Sequence, residues 1–197
     1  MVTLILETST PRAGVALFRG SAPAFSHSFT ADRSHSSELF SVIEQALASG
    51  VQPDRIVVGL GPGSYAGVRI AISAAIGLSV ASGAEMLGVP SIAALEAGEY
   101  LAVGDARRGT YSFTHVCDGE LVTGPILLTP GELEARLAAS PLPAFSSEAL
   151  PFPRVQLRLP EVDRLARLAI AGRSICARGV LEPLYLREPH ITTPKCR

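Results

Sequence analysis

Within the 197 residues, the string Gly59-Leu60-Gly61-Pro62-Gly63-Ser64-Tyr65-Ala66-Gly67 has the composition most suited to chemistry. A β-forming run, Arg55 to Leu60, leads into it, and a helical run, Val68 to Ser82, follows it. A glycine-rich turn placed this way aims free backbone N–H groups and a helix N-terminus at whatever lies against it, which is how proteins hold phosphate. Gly61, Gly63 and Ser64 are therefore candidates for an anion-binding turn, and Gly61-x-Gly63-x-x-Ala66 meets the loose dinucleotide pattern. Two features weaken it. Pro62 removes one amide, and no acid ends the following strand, where a ribose hydroxyl would need one; Glu85 stands at that strand's start. The turn is not a nucleophile elbow either, because Gly-x-Ser-x-Gly centred on Ser64 would need glycine where Pro62 and Ala66 stand.

Other reactive side chains are scattered. His27, His35, His115 and His190 show no metal-ligand spacing, and no catalytic acid–base pair is legible. Cys117, Cys176 and Cys196 form no Cys-x-x-Cys, so neither a zinc knuckle nor a disulfide framework is indicated, which fits a reducing compartment. The single lysine, Lys195, lies next to the C-terminus, so a Gly-Lys-Ser/Thr phosphate loop and a Schiff-base lysine are both absent.

The elements that must position the turn follow from the hydrophobic pattern. Val2 to Leu6 and Gly14 to Phe18 read as a β-hairpin, extended by a third strand over Phe25 to Thr30. Ser34 to Ser37 supply helix caps. Behind them Leu39, Val42, Ile43, Ala46 and Leu47 make one apolar stripe, with Phe40 on its flank. Val68 to Ser82 is apolar all round except for Arg69, with Ser73, Gly77 and Ala81 forming a small-residue row. Such a helix must be covered on more than one side, and a sheet covers only one; the small-residue row would admit another backbone, from the same chain or from a partner. Met86 to Val89 reads as a strand and Ile92 to Ala97 as a short helix. Tyr100 to Val103 and Thr110 to Val116 read as a hairpin around Asp105-Ala106-Arg107-Arg108-Gly109. Ser140 to Pro160, with five prolines, reads as an irregular connection. A helix over Val162 to Ala169, an extended Leu181 to Arg187 and a loose tail from Pro189 complete the chain. No internal repeat is visible. A boundary near Gly98 divides it into an N-terminal lobe, 1–98, and a C-terminal lobe, 99–197.

Composition excludes several classes. Apolar residues make up 47% and charged residues 18%, with a formal charge of −1; this is neither a disordered chain nor a polycationic nucleic-acid binder. So few charges cover the surface thinly, so apolar surface should meet another protein. Residues 154–197 hold nine basic residues against four acids, an excess whose plain reading is a solvated helix face. The longest uncharged stretch, Ile70 to Ala84, is too short and too rich in serine and glycine to span a bilayer. With no signal peptide legible, the expectation is a soluble, cytoplasmic protein.

The strings Leu4-Ile5-Leu6-Glu7-Thr8-Ser9-Thr10, Arg33-Ser34-His35-Ser36, Gly61-Pro62-Gly63-Ser64-Tyr65-Ala66-Gly67-Val68-Arg69-Ile70, Gly88-Val89-Pro90-Ser91, Asp105-Ala106-Arg107-Arg108-Gly109 and Glu182-Pro183-Leu184-Tyr185-Leu186-Arg187 occur in this order in the chain. In that order they resemble the TsaB (YeaZ) family. That family belongs to the bacterial machinery that places threonylcarbamoyl on the adenosine beside certain tRNA anticodons.

The resemblance, which runs over nearly the whole chain, implies the α/β actin-like ATPase fold: two lobes, each a mixed sheet flanked by helices, the C-terminal one abbreviated here. It implies a non-catalytic accessory subunit that dimerises with the glycoprotease-like catalytic subunit, TsaD. It also implies a TsaE-type ATPase in the larger complex and a homodimer when the chain is alone. In the catalytic relative, two histidines spaced His-x-x-x-His hold a metal; the match puts Ser91 and Leu95 there, and neither replaces imidazole. No metal and no cofactor are thus expected, and direct tRNA contact stays open. The family's N-lobe helices pair across the interface, which makes Phe40, Arg69, Ser73, Gly77 and Val80 candidate interface residues. Two departures stand out: Glu7 replaces the family's usual aspartate, and the stretch Leu142 to Pro153 replaces a glycine-containing strand, which puts the second sheet in question. The competing reading is a stand-alone nucleotide-binding or ATP-hydrolysing protein that uses the Gly61–Ala66 turn. A peptidase reading finds neither elbow nor histidine pair.

Overall fold

The computed structural model describes residues 1–30, 35–48 and 50–187; Arg33, the Ser34 cap and the tail from Pro189 lie outside them. β1 (Val2–Glu7), β2 (Arg12–Arg19) and β3 (Ala22–Thr30) form an antiparallel meander, in which Val2 pairs with Arg19 and Glu7 with Gly14. The third strand starts three residues before the expected one, with a bulge at Leu17/Phe18 and Pro23 tolerated on an open edge. α1 (His35–Leu47) carries the chain to β4 (Arg55–Gly59), and α2 (Tyr65–Ser82) carries it to β5 (Glu85–Val89). β1, β4 and β5 run parallel.

The pleat sorts the side chains. Leu4, Leu6, Ile56 and Val58 face a core shared with α1 and α2; Ile5, Val57, Leu87 and Val89 face the opposite side. Burial of each such side chain contributes about 1.5–3 kcal/mol.

After a single 3₁₀ turn at Ser91–Ala94, shorter than the helix expected over Ile92 to Ala97, the chain builds a second sheet. β6 (Glu99–Asp105), β7 (Tyr111–Cys117) and β8 (Glu120–Leu128) make another antiparallel meander. α3 (Pro130–Ala139) follows, and then β9 (Ala144–Ser146) and β10 (Val155–Leu157), added parallel to β6. Two strands thus lie inside the stretch expected to be irregular, and they complete the sheet that the proline-bearing segment had put in question. α4 (Val162–Ile170) and β11 (Ala177–Arg178) finish the regular structure.

The sheets are ordered β11-β5-β4-β1-β2-β3 and β10-β9-β6-β7-β8. Setting β11 aside, each is a three-strand meander extended on its first strand by two parallel strands. This repeat of topology, invisible in sequence, is the actin-like ATPase fold. The second lobe is the shorter: an eight-residue loop, 147–154, joins β9 to β10 where α2 joins β4 to β5.

One expectation about the lobes differs from the structure. Everything after residue 98 was assigned to the second lobe, yet α4 lays Val162, Leu165, Ala166 and Ala169 on the far face of the first sheet, and β11 pairs with β5. The reason is that one face of the first sheet, with Ile5, Phe18 and Leu87, has no helix of its own to cover it. Replacing the fully buried Leu165 with alanine is expected to cost about 3 kcal/mol in urea unfolding. Hydrogen exchange should then quicken in β1 and β4 while β6 to β8 stay protected.

Candidate functional site

The glycine-rich turn is fastened to the loop that joins β1 and β2. A side chain on Gly63 would overlap the Ser9 carbonyl, and one on Gly67 the Thr8 carbonyl, so only glycine allows this backbone-on-backbone approach. The two loops also exchange hydrogen bonds. The Ser64 N–H donates to the Ser9 carbonyl at 2.6 Å, and the Thr8 hydroxyl donates to the Gly67 carbonyl at 2.8 Å. The Gly61 N–H donates to Ser91 Oγ at 2.9 Å, and the Gly67 N–H to Ser64 Oγ at 3.2 Å, which caps α2. Of the residues put forward as an anion turn, Gly61 and Ser64 therefore have their amides engaged within the chain, while Gly63 lines the space between the lobes. The capping serine starts α2 at Tyr65, three residues before the sequence pattern starts it.

That start fixes which side of α2 turns outward. Val68, Ala71, Ile72, Ala74 and Ala75 are buried against the sheet and α1. Tyr65, Ala66, Arg69, Ser73, Ile76, Gly77, Val80 and Ala81 are exposed, Val80 at 84%. Arg69, Ser73, Gly77 and Val80, put forward as interface residues, thus share one outward face, and Phe40 on α1 is 52% exposed. Ile76 belongs to this face and was not singled out. Among the described helices α2 alone is long and apolar enough to cross a bilayer; here its inner face packs on a sheet. Gly77 has nothing within 4 Å of where a Cβ would stand. No contact inside the chain requires a glycine there, although mid-helix glycine costs about 0.5–1 kcal/mol relative to alanine. At the start of this face the Arg69 guanidinium lies 5.0 Å from the Tyr65 ring, and Tyr65 lies 5.7 Å from Tyr185. Desolvation, aided by the Tyr65 hydroxyl, pushes the Tyr185 phenol above its ordinary pKa.

A cleft of about 1410 Å³ separates the lobes. Ser9, Ser64 and Tyr65 line one wall; Ala102, Ser112 and Thr114, on a face of the second sheet that α3 does not cover, line the other. Arg107, Arg108 and Arg187 also border it. Most arginines of the basic C-terminal segment are tied down within the fold rather than displayed on a solvated helix face. Arg154 donates to the carbonyls of Leu137, Ser140 and Leu142 at the end of α3, and Arg158 and Arg164 share Glu96. Arg178 joins Arg55 on Glu85. The Ala97 amide, with Arg164 and Arg158, holds the Glu96 carboxyl below its usual range. Among the described residues no three of His, Cys, Asp and Glu gather closely enough to hold a metal. Ser91 is fully buried on the Gly61 amide, and Leu95 is buried with Ile92, Tyr100 and Phe145.

Glu7 is 1% exposed at the end of β1. Its Oε1 accepts from the Ser9 N–H at 2.6 Å; its Oε2 lies against Gly59 and Ser91, with no hydrogen bond of good geometry. Burial pushes the carboxyl above its ordinary pKa, against the pull of the Ser9 and Ser91 hydroxyls and the Ser9 and Thr8 amides. A raised native pKa favours folding while the proton is held, and that gain is lost as pH rises through the native value. Glu7→Gln removes the ionisation and keeps the acceptor for Ser9. Its melting temperature relative to the native chain is expected to rise as the pH is raised above the ordinary carboxylate range. A difference that stayed flat with pH would refute the burial argument.

Comparison with known proteins gives this geometry a family. Residues 27–111 match the family model described as TsaD: tRNA N6-adenosine threonylcarbamoyltransferase. The tRNA threonylcarbamoyladenosine biosynthesis protein TsaB of Haemophilus influenzae is 30% identical over 129 residues, which cover 59% of this chain and 54% of that protein. The structure of YeaZ from Pseudomonas aeruginosa superposes with a TM-score of 0.68 at 27% identity, covering 86% of this chain and 91% of that one. A second Pseudomonas aeruginosa structure, described as an uncharacterized protein with similarity to peptidase YEAZ, gives 0.74 at 28% identity over 94% and 99%. The glycine-fastened turn, the paired sheets and these relatives agree, and together they support identifying the chain with the TsaB (YeaZ) family, related to tRNA threonylcarbamoyladenosine biosynthesis.

Proposed function

We propose that this chain is a non-catalytic subunit of the system that adds threonylcarbamoyl to tRNA adenosine, and that it acts by docking the outer face of α1 and α2 on a TsaD-type catalytic subunit. The observation that carries this is Gly77: an exposed glycine with open space around it, at the centre of an apolar helix face. With no side chain at that position, a partner helix can approach the backbone closely, while Ile76, Val80 and Phe40 supply apolar area around the contact. A chain that works this way needs no catalytic group of its own. The buried positions of Ser91 and Leu95, where the catalytic relative has its histidines, support that role. In this reading the protein is cytoplasmic, needs no cofactor, self-associates through the same face when alone, and meets a TsaE-type ATPase as a further component.

The interlobe cleft favours a second reading, a nucleotide-binding or ATP-hydrolysing protein. Against it, the Gly61 and Ser64 amides and the Ser64 hydroxyl are engaged within the chain. Calorimetric titration of the isolated chain with ATP and Mg²⁺ separates the two: tight binding with hydrolysis supports the second.

Gly77 separates folding from docking. Gly77→Ala is expected to raise monomer stability by about 0.5–1 kcal/mol. Gly77→Trp should leave the monomer folded but weaken co-elution with the catalytic subunit about fivefold or more, since an overpacked contact costs about 1–3 kcal/mol. Reconstituted threonylcarbamoyl transfer should need the native chain and fail with the tryptophan variant. A tryptophan variant that bound and supported transfer normally would refute the proposal.

A further inference from the structure

The lobes are tied together at one end and bridged by a strap at the other. At the tied end the segment after α4 holds the turn between β7 and β8. The Ser174 N–H donates to Glu120 Oε1 at 2.7 Å, its hydroxyl donates to the Gly119 carbonyl, and Arg173 donates to the Asp118 carbonyl at 3.3 Å. Leu168 packs where a Gly119 side chain would otherwise stand.

At the cleft, residues 181–187 run from the first lobe to the second. Leu181 is buried in the core beneath α2, and the Leu184 N–H donates to the Leu60 carbonyl at 2.9 Å, beside the glycine-rich turn. Tyr185 then lies against Tyr65 in the first turn of α2. Two residues on, Arg187 Nη2 donates to Thr110 Oγ1 at 2.6 Å, at the tip of the β6–β7 hairpin. The Thr110 hydroxyl in turn donates to the Arg107 carbonyl at 3.1 Å. That tip is strained, with Arg107, Arg108 and Gly109 in succession at φ 64°, 56° and 72°. A side chain from the strap therefore braces a strained stretch of backbone on the second lobe, and Arg187 Nε is buried there without a hydrogen-bond partner among the described residues.

We propose that residues 181–187 are a latch through which a partner docked on α2 sets the closure of the interlobe cleft. The proposal rests on the docking reading above and adds regulation to it. Tyr65 and Tyr185, 52% and 43% exposed, stand at the start of the outward face. A partner that immobilises Tyr65 and Arg69 also immobilises Tyr185, and Arg187 two residues further along is then held on Thr110. Coupling of this kind is reciprocal, so losing the latch must also change docking affinity.

The test is hydrogen exchange on the full chain, free and mixed with the TsaD-type subunit, for the native protein, Arg187→Met and Thr110→Val. In the native protein docking should slow exchange in both α2 and residues 104–112, the latter about fivefold or more. In either variant residues 104–112 should exchange about fivefold faster in the free chain, and their docking-dependent slowing should vanish while α2 is still protected. Unchanged exchange in β1 and β4 shows that a variant keeps its fold. Protection of α2 without protection of 104–112, or slowing that persists in both variants, overturns the latch alone. No protection of α2 in the native mixture overturns the docking reading, and the coupling with it.

Discussion

The contact on which the rest depends is the backbone-on-backbone approach between the β1–β2 loop and the turn that opens α2. Gly63 and Gly67 allow it, and the Ser64 and Thr8 hydrogen bonds hold it in place. It decides where α2 begins, and a helix that begins at a fixed residue has a fixed face. A start one residue earlier or later would turn the helix by about 100° and move Gly77 and Val80 round its circumference. The buried Glu7 belongs to the same construction, because its Oε1 takes the Ser9 amide and so shapes the loop that receives the turn. A carboxyl fixed this tightly, its oxygens in contact with Ser9, Gly59 and Ser91, acts on the backbone around it and has little freedom to do anything else.

The repeated topology explains why the first lobe carries the outward helix face. Both sheets have the same strand order, but β4 and β5 are joined by an eighteen-residue helix, whereas β9 and β10 are joined by an eight-residue loop. That loop folds Phe152 and Leu150 against the second sheet, on the side where α3 packs. The second lobe therefore has nothing equivalent to the outward face of α2. On the opposite side of the sheet Ala102, Ser112 and Thr114 line the cleft, each of them buried.

What was legible in the sequence follows the range of the interactions involved. The first hairpin, the stripe of α1 and the apolar α2 all show as periodicity within a window of a few turns, and the structure has them. The α3 helix, absent from the sequence reading above, does carry a local signal. Thr129 and Glu132 form a capping box with Pro130 at the first helical position, and Leu133 and Leu137 mark one face. β9, β10 and β11 are two or three residues long and carry no period to detect. The placement of α4 is a different matter. Its amphipathic pattern was visible, but nothing local states which of two sheets the stripe will cover, because that depends on which face each sheet has left bare. The small-residue row of α2, Ser73, Gly77 and Ala81, is legible as a row. Its direction is not, since helix orientation depends on the cap and the loop beneath it.

The outward face also shows why a scaffold reading fits the energetics better than an incidental surface. An apolar patch in water costs little while it is small, and single exposed apolar side chains are ordinary. Here Ile76, Val80 and Phe40 are accompanied by an unsupported glycine that lowers the helix's own stability. Alanine would fit the same space without strain, since Gly77 lies within regular helix and meets nothing. Where the chain keeps a residue that its own fold would do better without, the contact that explains it lies on another surface. In the proposed docking, a second backbone passing close to Gly77 supplies that contact. The same approach brings it along the helix towards Arg69 and Tyr65, the end at which the C-terminal strap is joined to the face.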